Sequence, residues 1–228
     1  MPNIAILPAR SGSKRIPHKN IALIDSIPAL GITITKLIDS GLINEIYVST
    51  DSEDISSIAI KYGAKVPELR SLSLSDDSTP SETVIRDFIS NYITKPIDLN
   101  IFCVYPLSVL INHKYISDAL QLLTENPNSF VISAGKFEIN PLRHTFTIEK
   151  GYARILHPQN NNLRSQDLPD CFFDAGMFYL ATAHTWLEPN KYWYVNNAQV
   201  VMLEKEDAID VDCPEDLEKL RTRFNSLR

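Results

Sequence analysis

Arg10, Lys14, Arg15 and Lys19 fall within the stretch ILPARSGSKRIPHKN at positions 6–20, in a chain whose net charge is −6. Like charges this close repel, so a counter-anion is expected among them, either acidic side chains or a ligand. A loop behind a strand offers backbone N–H groups, and with these cations it suits a di- or triphosphate. The stretch carries neither GxxxxGK[ST] nor GxGxxG. Its other reading is a solvated basic turn paired with surface acids. A second cluster lies near the other end, where AIDVDCPEDL sets Asp210 and Asp212 two residues apart. In extended chain both point to one face, where they either share a cation such as Mg²⁺ with substrate phosphates or one of them caps the following helix. The third is NNNLRSQDLPDCFFDAG, with Arg164, Gln166, Asp167 and Asp174 ahead of Gly176, where backbone can approach a ligand closely. Polar loops beside core strands often carry binding, and often carry none. If the basic loop and the paired aspartates share one edge of a sheet, metal and cations would serve a single polyphosphate.

These residues need a frame. NIAILPA, EIYVSTD and NIFCVYPL are short continuous apolar runs, the pattern of strands buried on both faces. Between them IPALGITITKLIDSGLI places Leu30, Ile34, Leu37 and Ile38 at helical spacing with Gly41 as its stop, and EDISSIAIKYG is a helix capped by Asp51 or Ser52 and ended at Gly63. TPSE at 79–82 reads as a capping box with Pro80 at the first helical position. HKYISDALQLLTEN is a further helix, SFVISAGKF a further strand, and PEDLEKLRTRFNSL a closing helix started by Pro214. This alternation predicts a three-layer α/β fold, a mainly parallel, mononucleotide-binding sheet with helices on both faces. Ligands then bind at the carboxyl ends of the strands, where the basic loop lies. From about 138 to 170 the pattern breaks: HTFTIEKGYARIL reads as two strands joined through Gly151, followed by polar chain without periodicity. We read residues 1–228 as one domain with an inserted lobe there.

The acidic balance argues against a nucleic-acid partner, which needs a basic face. No apolar run reaches the roughly 20 residues of a membrane span, and the amino end lacks the apolar core of a secretory leader. Cys103, Cys171 and Cys213 are odd in number and form no CxxC pair, so neither a disulfide framework nor a zinc site is expected. The expectation is a soluble, cytoplasmic protein whose cysteines, like Phe172, Phe173, Phe178 and Tyr179, fill core. The five histidines are scattered, His18 alone lying near the expected phosphate site.

LPARSGSKRIPHKN resembles the opening signature of the CMP-sugar-acid synthetases, the cytidylyltransferases that activate nine-carbon nonulosonic acids. VSTD at 48–51, GAKVPELR at 63–70, RSQDLP and IDVDCPEDL follow in that family's order, so the resemblance spans nearly the whole chain. The DAG of CFFDAGMFYL is most similar to the pseudaminic acid branch, because the sialic acid enzymes usually have NG there. The resemblance implies a homodimer built partly through the inserted lobe and the use of CTP with Mg²⁺, the product serving bacterial surface glycans or flagellin. On matching positions it implies that Arg10 and Lys14, assisted by Ser13, hold the triphosphate. Asn20 would contact the nucleotide, Arg70 and Ser81 would read cytosine and its surroundings, and Asp210 and Asp212 would bind metal. Arg164, Gln166 and Asp174 would face the sugar acid. Synthetases for N-acetylneuraminate or legionaminate, and an inactive nucleotide-binding module, are the alternatives; the eight-carbon enzymes read differently after PAR. Ser11 stands where the family prefers Gly, so the loop either avoids φ > 0 there or bears strain of about 1–3 kcal/mol. Ser71 replaces the usual Pro after Arg70, and VYPLSVL at 104–110 departs from the family's QPTSPLR or YATAPF at Tyr105.

Overall fold

Strand β1 (Asn3–Pro8) shows why its apolar run is continuous. Ala5 and Leu7 pack on one side of the sheet, Ile4 and Ile6 on the other, and all four are buried. A strand covered on both faces has no solvent side to mark with polar residues. The computed structural model describes residues 1–94, 98–189 and 197–227. After β1 come the short β2 (Leu23–Ile24) and β3 (Ile27–Pro28), then β4 (Glu45–Ser49), β5 (Asn100–Val104), β6 (Val131–Lys136), β7 (Phe146–Glu149), β8 (Tyr152–Ile155), β9 (Phe172–Thr182) and β10 (Gln199–Met202). Six of them form the central sheet in the order β10-β6-β9-β5-β1-β4. Helices α1 (Ala29–Asp39), α2 (Glu53–Lys61), α4 (His113–Glu125) and α6 (Pro214–Ser226) cover one face, while α3 (Ser81–Tyr92) and α5 (Ala183–Leu187) cover the other.

Five strands run one way, and β9 runs against both its neighbours, β5 and β6. The alternation of runs did not reveal this reversal. The chain leaves β6 at the carboxyl edge, makes its excursion, and re-enters at that same edge. Asp174 and Gly176, near the start of β9, therefore stand beside the ends of β1 and β5. A register shift in the β6–β9 pairing falls at this point. The Ser133 hydroxyl accepts the Met177 and Phe178 N–H groups at 3.1 and 3.2 Å, and Asp174 Oδ1 accepts the Gly176 N–H at 2.9 Å. The irregularity re-aims the strand toward the edge.

Most local expectations hold. Ser52 caps α2, and Gly41 and Gly63 take positive φ after α1 and α2; the structure adds Asn112 as the cap of α4. Three details differ. The box at 79–82 does not form: Pro80 is itself the cap position, the Thr79 hydroxyl donates to Asp76, and Glu82 pairs with Arg86. Ile38 is 48% exposed, lying at the edge of the α1 stripe. Phe172 is likewise half exposed, since it precedes the buried part of β9. Of the cysteines, Cys103 is buried core and Cys213 is the cap of α6. Strands β7 and β8 pair only with each other, and all eight of their residues are exposed. Among the described residues no helix is long and apolar enough to cross a membrane.

Candidate active site

A cavity of about 780 Å³ opens at the carboxyl edge of the sheet. Arg10, Ser13, Lys14, Asn20, Arg70, Ser81, Asp174, Asp210 and Asp212 all line it. Residues from both ends of the chain thus face one space.

The loop after β1 is held from two sides. The Asn20 side-chain amide donates to the Arg10 carbonyl at 2.8 Å. Asp51, at the end of β4, accepts the Ser11 N–H at 2.7 Å and its hydroxyl at 2.8 Å. Ser11 is not among the residues with positive φ, so its hydroxyl tie to Asp51 replaces the freedom of a glycine. Arg70 enters through its backbone N–H, which donates to the Thr50 carbonyl at 2.7 Å, and its Nε donates to Ser75 Oγ at 3.1 Å. Burial holds its pKa below the usual guanidinium range; Asp51 opposes that shift and Arg10 adds to it. Ser71 makes its own contribution, its carbonyl accepting the Ser75 hydroxyl.

Acidic side chains complete the lining beside the loop. Asp210 is pushed above the usual carboxylate range by burial first, then by Asp212, with Lys19 opposing and Asp174 adding. The start of α6 is capped by Cys213 and Asp216, so capping uses neither Asp210 nor Asp212. Asp212 instead pairs with Arg15 at 3.0 Å and Lys19 at 3.7 Å. The Tyr179 hydroxyl donates to Asp174 Oδ2 at 2.7 Å, and burial, then Tyr105 and Asp174, drive its pKa far above the phenol range, so it stays a donor. Among the described residues no three His, Cys, Asp or Glu side chains converge to hold a metal ion by themselves. Two aspartate carboxylates lining one cavity, one of them crowded by like charge, are the hard-oxygen set with which Mg²⁺ is bound when phosphates complete its shell. The donors present fit that ion.

Some positions fall elsewhere. Arg164 is exposed and pairs with Asp167 at 2.8 and 3.0 Å, and neither it nor Gln166 lines the cavity. His18 does not line it either. Several residues of the site carried no clear signal in sequence. Asp77 pairs with both Arg10 and Lys14, which hold its carboxyl below the usual range. The Tyr105 hydroxyl donates to Ser81 Oγ at 3.1 Å, and its ring meets Tyr179 edge-on at 5.8 Å. An aspartate in a Ser/Asp-rich loop and a tyrosine after an apolar strand look ordinary until the fold brings them to the same edge.

The sequence profile of a family described as cytidylyltransferase matches residues 4–168. The chain belongs to the cytidylyltransferase family. It is 33% identical over 219 residues to a pseudaminic acid cytidylyltransferase of Campylobacter jejuni subsp. jejuni serotype O:2, covering 96% of this chain and 94% of that one. An N-acylneuraminate cytidylyltransferase of Streptococcus agalactiae serotype III is 30% identical over 218 residues, 95% of this chain and 52% of that one. A solved CMP:2-keto-3-deoxy-manno-octonic acid synthetase complexed with CTP superposes with a TM-score of 0.73, covering both chains fully at 14% identity, a likeness of fold. This cytidylyltransferase therefore has the α/β fold that its strand and helix alternation predicts, with a cation-lined loop facing the cavity at the carboxyl edge of its sheet.

Proposed function

We propose that this cytidylyltransferase joins CTP to a free nonulosonic acid, pseudaminic acid foremost, giving the CMP-sugar and pyrophosphate. The observation that carries the reading is that Arg10 and Lys14 line the same cavity as Asp210 and Asp212. The likeness to the Campylobacter jejuni pseudaminic acid enzyme across nearly the whole chain supports the choice of sugar. In the proposed reaction the anomeric hydroxyl attacks the α-phosphorus of CTP. A new P–O bond forms as the bond to the β-phosphate breaks, and pyrophosphate leaves with that electron pair. The hydroxyl proton passes to a carboxylate lining the cavity.

Arg10 and Lys14, with Ser13 and the loop backbone, bind the triphosphate and offset charge on the leaving pyrophosphate. Asn20 keeps the loop closed through the Arg10 carbonyl. Arg70 and Ser81 serve the cytidine side, and Asp174, oriented by Tyr179, serves the sugar acid. Arg164 and Gln166, which match the family's pattern, are assigned to the sugar side, although they lie outside the cavity lining. Asp210 and Asp212 would hold Mg²⁺, which supplies charge neutralisation and polarisation at phosphate oxygens.

The inserted lobe, at about 138–170, is proposed as the contact with a second copy in a homodimer. Phe146, Ile148 and Ile155 share one face of the β7–β8 ribbon and are 54%, 75% and 48% exposed. A two-stranded ribbon is marginal by itself, and such a patch gains by being covered. We place the protein in the cytoplasm, where CTP is made available.

The test is pyrophosphate release from CTP and Mg²⁺ with a panel of pseudaminic, N-acetylneuraminic and legionaminic acids. Pseudaminic acid should give the highest kcat/KM. A preference for either other acid would reassign the sugar. No release with any acid, although CTP binds, would make the chain a binding module.

A further inference from the structure

All four loop cations are already matched by acids. Arg15 and Lys19 meet Asp212 from the carboxyl-terminal side, and Arg10 and Lys14 meet Asp77 from the loop before α3. The Asp77 contact is bridging: one carboxylate oxygen pairs with Arg10 and the other with Lys14. Two oxygens on one centre spanning a guanidinium and an ammonium is the contact a phosphate group makes. Its aim is built by its neighbour. Asp76 Oδ1 accepts the Ser78 N–H and hydroxyl at 2.9 and 3.0 Å and the Thr79 N–H and hydroxyl at 2.6 and 2.8 Å. That turn presents Asp77 into the cavity.

We propose that Asp77 is a positioning residue that occupies the place of the nucleotide's phosphates, holding Arg10 and Lys14 together until CTP displaces it. The inference rests on the cytidylyltransferase reading above. Without a counter-anion the two cations would repel and the loop would spread; with one, the loop is set in advance but the incoming triphosphate must compete. CTP brings several negative charges against one carboxylate, so it wins, at an affinity lowered by the contact it replaces. The same competition applies to pyrophosphate, so Asp77 also helps the product leave.

The prediction is a gain of binding on removing an acid. Exposed ion pairs are individually weak, and two of them set the scale. Asp77→Asn should bind Mg·CTP and inorganic pyrophosphate about three- to tenfold more tightly by calorimetry at low salt. The gain should shrink as salt screens the pairs. Asp77→Glu, which keeps the charge, should stay near the wild-type affinity. Asp77 is 41% exposed in its side chain, so the fold should tolerate the change; Asp77→Ser serves as a second variant should the amide misfold. Damage to the structure would lower affinity, so a gain is not its signature. Unchanged or weaker binding by folded Asp77→Asn and Asp77→Ser would overturn the role of Asp77 alone. Failure of the wild-type protein to bind either CTP or pyrophosphate would overturn the cytidylyltransferase reading and this inference with it.

Discussion

Gly176 lines the cavity beside Asp210, with φ at +60°, and a Cβ there would lie 3.3 Å from Asp210 Oδ1 and 3.5 Å from its Cγ. Gly176→Ala therefore acts twice. The left-handed backbone costs an L-residue about 1–2 kcal/mol, which in a chain of this size lowers the melting temperature by about 2–8 °C. The methyl group must also push the Asp210 carboxylate by a few tenths of an ångström. Since misplacing a reacting group by about 1 Å can cost a hundredfold, kcat/KM should fall about ten- to a hundredfold. Gly151 supplies the control: its φ is +84° and nothing lies within 4 Å of its Cβ position. Gly151→Ala should lose comparable stability and keep its activity. The assays are thermal melting by circular dichroism and pyrophosphate release at saturating Mg²⁺. If both variants melt alike and Gly176→Ala retains wild-type kcat/KM, the link from Gly176 through Asp210 to the reaction is wrong.

Lys14→Ala removes an 84% exposed side chain, so the melting temperature should move by no more than about 2 °C, while kcat/KM drops about a hundred- to a thousandfold; retention of activity within tenfold would exclude Lys14 from the triphosphate site. Asp210→Asn tests the raised pKa. A carboxyl with a folded-state pKa above its unfolded value gives stability that is complete below the unfolded pKa and is lost as pH rises through the folded one. Relative to wild type, the amide should therefore gain melting temperature as pH rises from the ordinary aspartate range through the raised one; a flat difference would contradict the crowding of that carboxylate. If the proposed homodimer uses the exposed ribbon, the wild type should sediment as a dimer and Ile148→Asp as a monomer with little change in the fold; a monomeric wild type would overturn the dimer, and a dimeric variant would move the interface elsewhere.

Much of the fold was legible because its signals are local. Apolar runs of strand length mark both-face burial, and Ser52, Gly41 and Gly63 punctuate helices through their own side chains or backbone freedom. The capping box at 79–82 misled because a tertiary partner competed: Asp76 took the Thr79 hydroxyl and Arg86 took Glu82. The cationic loop and the paired aspartates were readable as charge and spacing, and their resemblance to the cytidylyltransferases gave them a purpose.

By itself the sequence determined the α/β class, the basic loop and the acids that could serve a polyphosphate, since periodicity, turn chemistry and charge act over a few residues. Only the tertiary structure decided that β9 runs backwards, that Asp77 answers Arg10 across 67 residues and Lys14 beside it, and that Gly176 makes room for Asp210. Those outcomes depend on which edges of the sheet the chain brings together, and packing between distant segments leaves no local trace in the residues that it joins.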